Sequence, residues 1–330
     1  MTEQNIDINP EPKIWILVDN RDGNANQALA LAEELEVKYK IIKLDYNNFA
    51  KLPSLLLGIW PMHLKKPILN SFKNQTIPDL VIASGRRTAS VALYLKKLSQ
   101  GKSKIIQIMR PGSYPKEFDL IILPQHDNFN QILPNVVRII GALTGVHKKL
   151  AKASEALSVN YPNLQKFIAV MIGGGNKKWN FTLDDATSFA ESLTNISANH
   201  LTPLFISFSR RTPDHVKELF RNRFYWPNVI YDPNDAVPNP YPGMIGCADY
   251  IITTADSISM CSEAASTGKP LYIFCPENFH LKKHRFFIQQ LVDLEIARRL
   301  DSNTTQLEAY QYEPLREIGK VAKIIKEKFL

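Results

Sequence analysis

Cysteine is scarce in this chain of 330 residues. Cys247, Cys261 and Cys275 are the only three, an odd number with no Cys-x-x-Cys pair. That excludes a disulfide framework and a cysteine-rich zinc site, and it makes the cytoplasm the expected home. Long apolar runs are missing as well. No stretch reaches the length needed to span a bilayer, and residues 1–12 carry Glu3, Asp7 and Glu11 where a secretion signal would be basic and apolar. Three signatures are absent. There is no Gly-x-Gly-x-x-Gly, so a bound dinucleotide is not expected. There is no His-Glu-x-x-His, and His280 and His284 at i, i+4 have no third ligand nearby, so no metal is expected. There is no Asp-x-Asp pair to hold a metal against a diphosphate. The net charge is +8, yet no dense Lys/Arg run with interleaved aromatics occurs. The basic balance therefore points to a nucleotide or an anionic membrane surface and away from nucleic acid.

What is present is an ordinary globular balance, 45% apolar and 22% charged, over a length that suits two domains. One plan occurs twice: a short apolar strand, a loop of small or charged residues, then a helix. Strands are expected at 14–18, 39–44, 79–83, 104–109 and 119–123, and again at 167–172, 203–208, 229–232, 248–252 and 271–275. Residues 130–157 read as helical, and Asn160-Tyr161-Pro162-Asn163 reads as a linker. The expectation is an α/β chain of two Rossmann-like domains, 1–160 and 161–330, facing across a cleft. An amphipathic last helix, 313–330, packs back on the first domain. Alternating strands and helices give parallel sheets whose carboxyl ends line the ligand crevice.

The loops at those ends carry the candidate chemistry. Between two strands, residues 253–270 form a helix with Ser257 as N-cap, Gly268 past its end and Pro270 to stop it. Its free N–H groups and dipole favour an anion, and Ser257 and Ser259 add hydroxyls. Glu263 shares a face with Ser259 and Ser262. Gly173-Gly174-Gly175, followed by Lys177 and Lys178, permits close backbone approach. In Ser209-Arg210-Arg211-Thr212-Pro213 two guanidinium groups at a helix start make a diphosphate clamp. The first half offers Asp19 to Asn24, Ser84 to Thr88, and Gln125-His126-Asp127. Residues 49–72 are apolar, aromatic and basic, with Trp60, Lys51, Lys65 and Lys66, broken by Pro53, Pro61 and Pro67. Two readings stay open for them: an irregular piece of core, or a surface for an anionic membrane or a lipid-linked acceptor.

Taken together, Asp19-x-Arg21-x-Gly23-Asn24-x-x-Gln27, Ser84-Gly85-Arg86-Arg87-Thr88, Pro124-x-His126-Asp127, Gly173-Gly174, Ser209 to Pro213 and Thr254 to Pro270 resemble the mitochondrial-fission ELM-type proteins and their bacterial relatives. The resemblance runs from residue 15 to about 275 and implies the GT-B fold of glycosyltransferases. The bacterial branch has carried a nucleotide-sugar epimerase label; an epimerase is expected to need NAD and the dinucleotide loop this chain lacks. The plant branch is similar to an adaptor that recruits a dynamin-related protein. Residues 257–270 are also similar to the donor helix of GT-B enzymes acting on envelope lipids. That likeness implies that Ser257, Ser259 and Met260 hold a diphosphate and Glu263 holds ribose hydroxyls. Gly173 and Gly174 stand for a second glycine-rich element, and Ser209, Arg210, Arg211 and Thr212 complete the nucleotide side. Gly23, Asn24, Gln27, Ser84, Gly85 and Arg86 fall on the acceptor side. The reading is a metal-independent glycosyltransferase with a nucleotide-diphosphate sugar as donor and no bound cofactor. Its base is sought among His126, Asp127 and Asp19, and the alternative is a non-catalytic adaptor.

Overall fold

The structure is a computed structural model that describes residues 12–330 except 74, 176, 177, 302 and 303. The expectations for residues 1–11 and Lys177 lie outside the described residues. The chain divides into two compact units. The first comprises residues up to 124, 129–139 and 318–330; the second comprises 125–128 and 140–317.

Unit 1 contains six strands: β1 (Ile14–Val18), β2 (Tyr39–Lys43), β3 (Leu80–Ser84), β4 (Lys104–Ile108), β5 (Leu120–Pro124) and β6 (Val136–Ile139). The helices α1 (Asp22–Leu35), α2 (Ser54–Leu57), α3 (Lys66–Lys73) and α4 (Arg86–Leu98) are interspersed. Every residue of β1, β3 and β5 is buried, the unbroken apolar run of a parallel strand covered on both faces. The sheet order is β2-β1-β3-β4-β5-β6, all parallel. The chain steps outward from β1 to β2, then returns across β1 to β3. The loops after β1 and β3 therefore flank a topological switch point.

Unit 2 repeats the scheme. After α5 (Leu150–Asn160) come β7 (Ile168–Ile172), α6 (Leu183–His200), β8 (Leu204–Phe208), α7 (Asp214–Arg223) and β9 (Val229–Tyr231). The rest is α8 (Tyr241–Cys247), β10 (Tyr250–Thr254), α9 (Ile258–Ala265), β11 (Leu271–Phe274), α10 (Lys282–Asp293) and β12 (Ala297–Leu300). The sheet order β12-β11-β10-β7-β8-β9 puts its switch point between β7 and β10. Thr182 caps α6 in a reciprocal capping box with Asp185.

Three expectations change. Residues 130–157 do not form one helix, because Val136–Ile139 pairs with β5 as an edge strand. Its β-branched valines and isoleucine suit the pleat, and Pro134 stops a helix just before it. The last strand, β12, had no counterpart in the reading. The division falls at 139/140 rather than 160, and α5 belongs to unit 2. There α5 meets α8 so closely that a Cβ on Gly243 would lie 2.4 Å from the Ala153 carbonyl oxygen, and the Ala142 N–H donates to Ser262 Oγ of α9 at 2.9 Å. The final helix α11 (Glu317–Phe329) buries Ile318, Val321, Ala322 and Ile325.

Candidate functional site

The switch point of unit 2 is organised around Asp256, to which the sequence assigns no role. Its carboxylate is buried just past β10. Oδ1 accepts from Thr254 Oγ1 at 2.7 Å, and Oδ2 accepts from the Gly174 and Gly175 N–H groups, each at 3.0 Å. The Gly173 N–H donates to Thr254 Oγ1 at 2.8 Å. What approaches these glycines so closely is the chain itself. A Cβ on Gly173 would lie 2.1 Å from Asp256 Oδ1, and one on Gly174 would lie 1.7 Å from the Arg211 carbonyl oxygen. The glycine loop thus binds an internal anion, where the sequence reading had placed a ligand.

The turn after β8 is fastened to the same place. Thr212 Oγ1 donates toward the Ile172 and Gly173 carbonyls, both at 2.8 Å, and accepts from the Ser209 N–H at 2.9 Å. Ser209 Oγ accepts from the Arg211 N–H at 3.2 Å. Thr212 is buried, so its hydroxyl ties the turn down rather than facing outward. The Arg211 guanidinium donates to the Gly175 carbonyl at 3.1 Å and stands 3.8 Å from Asp256 Oδ2, with about half of its side chain exposed. Arg210 is exposed. His284, on α10, lies against the Asp256 backbone; burial holds its pKa below the ordinary value although the Asp256 charge pulls the other way. His280 precedes α10 and hydrogen-bonds the Lys178 carbonyl at 3.0 Å, so the two histidines do not share a helix face. Among the described residues no group of three His, Cys, Asp or Glu side chains is placed to hold a metal.

The helix α9 begins as its sequence predicts. Ser257 is the N-cap and its hydroxyl accepts from the Met260 N–H at 3.4 Å. The Ile258 and Ser259 N–H groups, first in the helix, have no intrahelical acceptor. Ser262 turns inward to donate to the Ile258 carbonyl at 2.8 Å. Glu263 accepts from the Tyr241 hydroxyl at 2.6 Å. Burial raises the Glu263 pKa against the Tyr241 bond and the Lys149 charge, and burial with the Glu263 charge raises that of Tyr241.

In unit 1 the loops after β1 and β3 meet. Asp19 Oδ1 accepts from the Arg21 N–H at 3.0 Å, while Oδ2 is enclosed without a partner. Burial raises the Asp19 pKa over the opposing pull of Arg21, Asn24 and Arg87. Gly85 caps α4 at φ +85°, and its absent Cβ makes room for Asn24. Gln27 donates to the Gly23 carbonyl at 3.1 Å and contacts Met109 Sδ at 3.6 Å. Arg86 donates to the Leu52 carbonyl at 2.8 Å, which directs it to the loop and away from the α4 terminus. The Ser84 hydroxyl is buried and unpartnered. His126 and Asp127 belong to unit 2, where the sequence had suggested bases on the first half. Asp127 pairs with Lys283 at 2.5 Å, and His126 rests on Phe287 with ring centres 5.6 Å apart. Of the three candidate bases, Asp19 keeps an unpartnered carboxylate oxygen.

The family model for mitochondrial fission ELM1 matches residues 22–329, which include the whole of unit 2. The chain belongs to the mitochondrial fission ELM1 family. This ELM1-family chain is 44% identical to the Rickettsia prowazekii (strain Madrid E) protein named Uncharacterized protein RP120, over 95% of this chain and 97% of that one. It is 30% identical to the Arabidopsis thaliana Mitochondrial fission protein ELM1 over 74% of this chain, and spans 62% of that relative's length. Among solved structures it resembles the UDP-GlcNAc 2-epimerase from Methanocaldococcus jannaschii, with TM-score 0.63, 13% identity, and 96% and 99% of the two chains covered. It also resembles the glycotransferase of kitacinnamycin, with TM-score 0.55, 13% identity, and 97% and 100% covered. At such identity the likeness establishes the GT-B-type α/β fold.

Asp256, Thr254 and Tyr241 in unit 2 had no role assigned from the sequence, nor did His63 in unit 1, which is buried with its Nε2 2.9 Å from the Arg87 carbonyl. An acidic residue two positions past the end of a buried strand was an available signal for Asp256. His63 sits in the proline-broken apolar segment, where no periodicity marks it.

Proposed function

We propose that this ELM1-family chain binds a nucleotide-diphosphate sugar through unit 2 and acts as a metal-independent glycosyltransferase. The observation that carries the reading is the start of α9 at the β7/β10 switch point. Two free N–H groups and Ser259 there favour a diphosphate, and Glu263 lies about one and a half turns further along. Side chains lean toward the helix N-terminus, so the Glu263 carboxylate is directed back toward the anion position. It can accept from the neutral hydroxyls of a ribose. Arg211 supplies positive charge beside the same loop, where a leaving diphosphate would need it. In unit 1 Asp19 is the base for an acceptor hydroxyl. Proteins of this fold with names that specify UDP-GlcNAc or glycosyl transfer support the donor class. The reading places the protein in the cytoplasm, peripheral on the inner face of a membrane. The exposed Phe49, Leu56, Trp60 and Met62, with Lys97 4.1 Å over the Trp60 ring and Lys51 and Lys66 in the same stretch of sequence, are the candidates for contact with an anionic bilayer or lipid-linked acceptor.

Two observations favour a second reading, a non-catalytic adaptor. Asp256 occupies glycine N–H groups that could otherwise meet a phosphate, and the Arabidopsis relative is named for mitochondrial fission. Calorimetric titration with UDP, GDP and CDP and their sugars separates the two. Binding followed by hydrolysis or transfer supports the enzyme; absence of binding by any nucleotide supports the adaptor.

A further inference from the structure

The amino ends of β7, β8 and β9 carry large apolar and aromatic side chains that unit 2 leaves uncovered. Leu201 is 91% exposed, Tyr225 76% and Trp226 86%. The loops before these strands are laced side by side. The Ile168 N–H donates to the Pro203 carbonyl at 3.0 Å, and the Leu204 N–H donates to Asn228 Oδ1 at 2.8 Å. Asn228 Nδ2 in turn donates to the Tyr225 carbonyl at 3.0 Å. Neighbouring strands lie about 4.8 Å apart, so residues 161–167, 200–203 and 224–228 share one end of the sheet. It is the end opposite Asp256 and the start of α9, which follow the carboxyl end of β10.

The charge at this end has one sign. The three loops contain no Asp or Glu. Lys166 and Arg223 are exposed, and Arg223 Nε donates to the neutral Thr194 Oγ1 at 2.9 Å. Arg221, by contrast, is paired with Asp232 at 2.8 Å. Asp249 precedes β10, on the far side of β7 from Leu201 and Trp226.

Exposed apolar side chains grouped in this way mark an interaction surface. A second copy of the chain is a poor occupant. In a two-fold dimer the patch faces itself, and Lys166 and Arg223 are set against like charges. A lipid surface matches both features. Trp and Tyr rings suit the boundary between headgroups and acyl chains, Leu suits the apolar layer, and anionic headgroups pair with Lys and Arg. We propose that this end of unit 2 docks on an anionic lipid surface, with Leu201 and Trp226 inserted and Tyr225 at the headgroups. The carboxyl ends of the same sheet then face away from the lipid and stay open. The inference needs neither the nucleotide reading nor the aromatic surface of unit 1.

Tryptophan fluorescence of the full chain, quenched by brominated phospholipids, tests this. Trp15 and Trp179 are buried, so Trp60 and Trp226 are the rings that lipid can reach. Vesicles of phosphatidylcholine with phosphatidylserine are expected to quench the wild type, and vesicles of phosphatidylcholine alone to leave it unchanged. Trp226→Phe loses the larger part of the quenching. Leu201→Ser weakens partitioning into the mixed vesicles about 10-fold. Lys166→Gln and Arg223→Gln each weaken it about 5-fold. All four side chains are exposed, and an unchanged melting temperature verifies the fold of each variant. Quenching lost in Trp226→Phe but kept in Trp60→Phe supports this surface and removes that of unit 1. The reverse pattern overturns the proposal. So does a wild type that the mixed vesicles do not quench, which leaves an acidic protein as the partner. A dimer in sedimentation equilibrium that Trp226→Ser dissociates also overturns it, because a second copy then covers the patch.

Discussion

At the scale of single residues, the two switch points hold carboxylates in opposite states. Asp256 is fully committed, with three donors and a nearby guanidinium. Replacing it with Asn leaves one neutral oxygen for the glycine N–H groups and puts the amide NH2 against Thr254 Oγ1, so the charge is lost, and loss of hydrogen bonds to a charged group costs about 1.5–3 kcal/mol. Denaturant unfolding of Asp256→Asn checks this; wild-type stability would mean the carboxylate does not hold the loop. Asp19 is the reverse case. Its folded pKa lies above the ordinary 3.8, chiefly through burial. Between 3.8 and that raised value the folded state binds more protons than the unfolded state, so stability falls as pH rises through the window. Above it the charged carboxylate burdens the fold. Asp19→Asn is therefore expected to melt higher than wild type at pH 7, with the difference closing as the pH nears 3.8. A mutant that melts lower at pH 7 would mean the carboxylate is better satisfied than its enclosed Oδ2 indicates.

At the scale of elements, the buried strands and the start and end of α9 were legible, because each follows from local chemistry. Unbroken apolar runs make parallel strands, and Ser257 makes a cap. The edge strands β6 and β12 were not legible: they are four residues each, with partly exposed side chains and an arginine in both. Their pairing comes from neighbours distant in sequence. The internal contacts of the glycine loop were not legible for a related reason. Gly173 and Gly174 signal close approach, but the sequence does not say that Asp256 and Arg211 are what approach. Gly174→Ala follows from that geometry: the methyl meets a backbone carbonyl that cannot give way cheaply, and overpacking of this kind costs about 1–3 kcal/mol. A melting temperature equal to wild type would contradict the close contact. The Thr182→Ala variant should lose about 1 kcal/mol from the missing cap.

At the scale of the whole molecule, the repeated α/β plan was readable from alternation alone, while the division point was not. Residues 140–160 look helical from either side, and only packing against α8 and α9 assigns them to unit 2. The net charge of +8 likewise names a class of partner without locating it. The exposed aromatic and basic surface of unit 1 locates one candidate. Flotation with anionic liposomes is expected to lose most of its bound protein when Lys51, Lys65 and Lys66 are all changed to Glu, and undiminished flotation would remove the membrane role. The central claim is that α9 holds a nucleotide. Isothermal titration of UDP into wild type and Glu263→Ala, with Tyr241→Phe as the control for the observed hydroxyl–carboxylate pair, tests it most directly. A charge-assisted hydrogen bond contributes about 1.5–3 kcal/mol, so Glu263→Ala should bind about 10- to 150-fold more weakly while Tyr241→Phe binds like wild type. Equal affinities for wild type and Glu263→Ala, or no UDP binding by wild type, would contradict the account.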